Sequence, residues 1–308
     1  MLQVLTALAP TFLLIAIGFG LRHFKLIDAA FWGAAERLIY YLLFPALLID
    51  GTAKTDLSGM DIWAMGSALV GGILLLSAAL QLSCRRLSGS DPAYTSVFQG
   101  AVRVNTYVAM ALGAALLGPH GTALMAIGVL FCMPTVNILS ILVMQRHGDM
   151  PAGMKRHPLR TLWQILSNPL VCSVIVGAAM NLAGIRQIPV VSPVMNVLGQ
   201  ASLPLGLLAV GAGLGFSAIR GAKVAVAVSS IARLAVLPVI TALLAKALGV
   251  QGNAFVAVVL YNALPTSVSA YVLARQMGGD APLMAGIITV QTLAAAVTLP
   301  VLLAFLTA

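Results

Sequence analysis

The feature that most constrains this chain is a series of apolar runs, each of about the 20 residues needed for a helix to cross a bilayer core. Ala64–Leu82, for example, contains no charged residue and is apolar all round. Only brief polar segments separate the runs, none of them the size of a water-soluble domain. Strand-sized segments of alternating polarity, the mark of a membrane barrel, are absent. The predicted class is therefore an all-α integral membrane protein with the bilayer as its partner.

Composition agrees with this reading. Of 308 residues, 60% are hydrophobic and 8% charged, whereas soluble domains carry about a quarter charged residues. The formal charge of +9 comes from basic residues placed singly or in pairs between spans, without aromatic interleaving, so no nucleic acid is expected as partner. Cys84, Cys132 and Cys172 are far apart, and no metal or cofactor is expected. Motifs of soluble enzymes are missing, and the expected number of catalytic residues is none.

Marking the runs gives ten spans: 3–21, 31–50, 61–83, 93–117, 121–144, 161–183, 190–216, 222–248, 252–275 and 281–306. The first is expected to be a retained helix, because Arg22 and Lys25 follow it and no basic residue precedes it. Odd-numbered loops and nearby span ends hold Arg22, Lys25, Arg85, Arg86, Arg146, Lys155, Arg156, Arg160, Arg220, Lys223 and Arg275. Even-numbered loops hold only Lys54, Arg186 and Lys246. Positive residues favour the cytoplasmic side, so both termini are predicted outside, in a multi-pass protein of a bacterial inner (plasma) membrane.

The chain also repeats itself. Shifts of 159 or 160 positions align Pro10 with Pro169, Gly18 with Gly177, Pro45 with Pro204, Thr106 with Thr266 and Val108 with Val268. The paired residues fall in corresponding spans, which predicts two five-helix repeats, 1–145 and 161–308, joined by a cytoplasmic linker at 146–160. An odd number of spans inverts the second copy in the membrane, a plan common among secondary transporters.

In such transporters the site lies where corresponding hydrophobic segments of the two halves are interrupted. The fourth span carries Arg103, Asn105, Thr106 and Tyr107 in an otherwise apolar run. The ninth carries Asn262, Pro265, Thr266, Ser267 and Ser269. Proline removes a backbone donor, and Asn, Ser and Thr can bond the carbonyls a broken helix frees, so both spans are predicted to break near the midplane. New half-helix N-termini would favour an anion there, and Arg103 would add a full positive charge.

Other polar residues within spans are Asn137, Gln291 and Arg233. The first two would line the cavity or bond helix to helix, and Arg233 would pack against carbonyls freed near Pro238. Pro45 and Pro204 mark bends in the second and seventh spans. The eight acidic residues lie at or near span ends, which argues against a proton relay or sodium cage built on a central carboxylate.

The segments RVNTYVAMAL (Arg103–Leu112), ALPTSVSAYVLARQMGGD (Ala263–Asp280) and RLAVLP (Arg233–Pro238), supported by LLFPALLI (Leu42–Ile49), resemble the auxin efflux carrier family along essentially the whole chain. Bacterial members of that family are often described as malate or malonate permeases. The resemblance implies ten helices in two inverted repeats, as in bile-acid symporters and sodium/proton antiporters, with the fourth and ninth helices crossing. It further implies a scaffold of the first, second, sixth and seventh spans, through which a homodimer would form, and a mobile domain working by an elevator mechanism. The family's crossover asparagine corresponds to Asn105 and its crossover proline to Pro265, flanked by Thr106 and Thr266. The expected substrate is a small organic carboxylate anion. Two alternatives are a sodium-coupled organic-anion symporter and a non-transporting membrane receptor or subunit.

Overall fold

A computed structural model describes residues 2–54, 61–83, 89–149, 167–215 and 222–306. Cys84, the linker from residue 150 onward and the first residues of the sixth span lie outside the described residues, as do the basic positions at 85, 86, 155, 156, 160 and 220. All regular structure among the described residues is helical. The helices are α1 (Leu2–His23), α2 (Ala29–Lys54), α3 (Ile62–Ser83), α4 (Asp91–Val102), α5 (Thr106–Leu117) and α6 (Gly121–His147). They are followed by α7 (Pro169–Leu182), α8 (Val191–Ala212), α9 (Lys223–Ala247), α10 (Gly252–Ala263), α11 (Ser269–Gln276) and α12 (Ala281–Leu306). Among the described residues, seven helical stretches, one of them Asp91–Leu117 with its interruption, are long and apolar enough to span a membrane.

Local sequence sets several starts. Ser90 accepts from the Ala93 amide ahead of α4, and Asn168 accepts from the Leu170 and Val171 amides ahead of α7. Each of these caps is followed by a proline, Pro92 and Pro169, in the first helical turn, where its missing N–H costs nothing. Two helices contain a π turn: Ile39–Leu43 in α2, just before Pro45, and Ala232–Val236 in α9, just before Pro238. Pro204 lies inside α8.

The chain forms two compact units, and each draws on both halves of the sequence. Unit 1 comprises residues 1–62, 106–130 and 166–213, with α1, α2, α5, α7, α8 and the first part of α6. Here α1 packs on α8 and α7 on α2. Glycine permits both approaches. A Cβ on Gly18 would meet the Leu208 backbone carbonyl, and one on Gly177 would meet the Ile49 carbonyl and the Thr52 side chain. Side chains then cap the helix ends: Arg22 donates to the Ala212 carbonyl, and Asn181 Nδ2 donates to the carbonyls of Thr52 at 3.1 Å and Ala53 at 2.9 Å. Such bonds use the carbonyls that a helix C-terminus leaves unpaired.

Unit 2 comprises residues 63–105, 131–165 and 214–308. In it α4 packs against α9 and α12, and α10 packs against α9 and α12. Gly100 brings α4 close to its neighbours, since a Cβ there would meet Ser229 Oγ and Ile287 Cγ2.

Candidate functional site

Unit 2 holds both interruptions expected from the sequence. The first occupies residues 103–105, where Arg103 turns to extended backbone (φ −77°, ψ 146°) after α4. The second runs from Leu264 to Val268 between α10 and α11. Leu264 is also extended (φ −73°, ψ 151°), because a residue before proline is pushed out of the helical region. The two breaks touch: the Asn105 amide donates to the Pro265 carbonyl at 2.9 Å.

Each backbone group released by a break must find another partner when it is buried. In an unbroken helix the Tyr261 carbonyl would accept from residue 265, which is proline and has no N–H. Arg233 Nη2 donates to that carbonyl at 3.3 Å instead. The same guanidinium donates through Nε to the Leu264 carbonyl at 2.6 Å and through Nη1 to the Val102 carbonyl at 3.2 Å. Arg233 is 0% exposed. It therefore bonds carbonyls at both breaks, rather than carbonyls near Pro238 as the sequence suggested.

Gln291 of α12 bridges the same region. Its Oε1 accepts from the Thr266 amide at 2.9 Å, and its Nε2 donates to the Gly100 carbonyl at 3.0 Å and to Ser229 Oγ at 3.3 Å. Ser229 in turn donates to the Val97 carbonyl at 3.1 Å. Gln291 thus ties helix to helix through backbone groups. Asn262 does similar work at the end of α10, with Nδ2 donating to Thr241 Oγ1 at 2.8 Å and to the Leu69 carbonyl at 3.3 Å.

A second set of residues at the breaks is accessible. Arg103 and Ser267 are half-buried and Ser269 is exposed. Arg103 Nη2 donates to Ser269 Oγ at 3.4 Å, the two serine hydroxyls are 2.9 Å apart, and the Ser269 amide donates to Ser267 Oγ at the start of α11. Asn105, Thr106, Thr266 and Pro265 are buried beside them in sequence. Thr106 opens α5 and belongs with unit 1. Asn137, half-buried on α6, takes no part in these bonds. Among the described residues no group of three His, Cys, Asp or Glu is placed to hold a metal ion.

Sequence reasoning passed over Ser229, although Ser229 and Arg233 are four residues apart and so share one face of α9. That spacing was the available signal.

Among the described residues, helices long enough to span a bilayer, one of them interrupted at 103–105, together with a second interruption between the shorter helices α10 and α11, define the class as a multi-pass membrane protein. The profile of the "Membrane transport protein" family matches residues 3–303. The chain belongs to this family, which is the auxin efflux carrier family it resembles, a family of transporters rather than enzymes, and is a membrane transporter. No curated protein matches it.

Proposed function

We propose that this transporter moves a small organic carboxylate, of the malate, malonate or auxin kind, by elevator-type alternating access, with the anion held at the two breaks. The observation that carries the reading is the accessible group of Arg103, Ser267 and Ser269 at the start of α11. A guanidinium suits the planar geometry of a carboxylate, the hydroxyls can donate, and a helix N-terminus favours negative charge. Asn105, Pro265, Thr266 and Gln291 shape the backbone around it.

The proposed framework is ten spans in two inverted repeats. Among the described residues, seven long apolar stretches and three shorter apolar helices are in keeping with that number. The contacts of Gly18 with Leu208 and of Gly177 with Ile49 support the repeat, because 177 − 18 and 208 − 49 both equal 159. The caps agree: Asn181 and Arg22 are 159 apart, and their acceptors Ala212 and Thr52 are 160 apart. Unit 1 would serve as scaffold, with α1, α2, α7 and α8, and as the surface for a homodimer. The proposed location is a bacterial inner membrane with both termini outside.

Purified protein in liposomes, given labelled malate, malonate, indole-acetate or a neutral control under sodium, proton or voltage gradients, tests the reading. Saturable flux of one or more carboxylates, absent for the control, is expected. Arg103→Gln should lower kcat/KM about tenfold, the scale of one hydrogen bond to a charged group, chiefly by raising the half-saturating concentration. Unchanged kinetics would remove Arg103 from the site.

A further inference from the structure

Two helix C-termini meet at one point in unit 2. Val102 ends α4, and Tyr261 and Leu264 belong to the last turn and exit of α10. Each such terminus carries roughly −0.5 elementary charge. A cation is stabilising at such an end, and in carriers built on broken helices the half-helix C-terminal ends and unwound carbonyls are places where a coupling sodium or proton binds.

In this chain the cation is covalently attached. The Arg233 guanidinium directs three N–H donors at these carbonyls, at 2.6, 3.2 and 3.3 Å, and it keeps its charge in a protein interior. A charge of +1 balances two ends of about −0.5 each. None of the eight acidic residues falls within 97–105, 229–236 or 261–269, so the segments meeting here bring no carboxylate of their own. The π turn Ala232–Val236 contains Arg233, and π turns are frequent where a helix must aim a functional side chain.

We infer that Arg233 is a tethered counter-ion that occupies the place of a coupling cation at the crossing of the two breaks, so that this carrier works without bound sodium. The transport part of the statement rests on the carrier reading above. The occupancy part does not.

Thermal unfolding of the full-length protein in nanodiscs, compared in sodium chloride and choline chloride at equal ionic strength, tests occupancy without any substrate. The wild type should show no saturable response to sodium. Arg233→Met should unfold at lower temperature and lose about tenfold or more of its carboxylate flux, as expected for losing hydrogen bonds from a charged donor. Millimolar guanidinium, but not choline, should restore part of both. Arg233→Lys, which retains the charge with fewer donors, should fall between the two and keep the protein folded for measurement. Saturable stabilisation of the wild type by sodium, or an Arg233→Met protein with wild-type stability and flux, would overturn the inference. A folded Arg233→Met protein indifferent to guanidinium, or an Arg233→Lys protein no more stable than Arg233→Met, would overturn it as well. If the wild type moves no carboxylate, the carrier reading fails while the unfolding comparison still decides occupancy.

Discussion

At the scale of single residues, the two breaks divide into groups that hold the backbone and groups that are accessible. Pro265 creates the unpaired Tyr261 carbonyl that Arg233 bonds. Pro265→Ala would return an N–H able to close that turn, letting α10 extend and compete with Arg233. Flux should fall about tenfold, the scale of one charged hydrogen bond, in protein that inserts normally. For Asn105→Ala, whose backbone bond to Pro265 persists, a comparable loss is expected if the side chain meets the substrate; full activity in both variants would refute the placement of the site. The positions of the breaks, at Arg103, Asn105 and Pro265, were legible because a polar residue or a proline stands out in an apolar run. The partners of Arg233 and Gln291 were not legible, since they are backbone carbonyls and an amide, which every residue carries. Only the tertiary fold decides which of them are left unpaired.

Helices and their pairings form the next scale. The close approach of α1 to α8 and of α7 to α2 depends on glycine at positions 18 and 177. Gly18→Ala and Gly177→Ala should each destabilise the protein by about 1–3 kcal/mol, because the added methyl meets neighbouring groups with no room to relax. Thermal unfolding in detergent measures this, with Gly33→Ala as the control: nothing lies within 4 Å of that position, and a gain of roughly 0.5–1 kcal/mol is expected from helix propensity. Alignment of Gly18 with Gly177 marked these two residues in advance, but not their partners. Both π turns also escaped the sequence reading. A π turn inserts a residue into the helical register without a fixed residue signature, and the apolar pattern of α2 and α9 continues through it.

For the whole molecule, the distribution of lysine and arginine makes a directional statement. With the proposed topology, a cysteine at Lys25 or Arg275 should react with an impermeant thiol reagent only from the cytoplasmic face of oriented vesicles. One at Lys54 or Gln187 should react only from the opposite face, in a background lacking Cys84, Cys132 and Cys172. Reversal of that pattern would invert the assigned orientation, and a mixed pattern would refute the span assignment. Membrane residence and helical class were legible because hydropathy and span length report on the solvent around each segment. The division into two units was not legible from position along the chain, since each unit is assembled from both halves and α6 contributes to both.

The shared bonds at the breaks also have a kinematic consequence. One guanidinium from α9 and one amide from α12 each grip both interrupted segments, and the Asn105 amide joins them directly. Neither break can be displaced alone without severing several buried bonds at once. Spin labels placed on α4 and α10 should therefore keep a constant separation throughout the working cycle, whatever distance the pair travels.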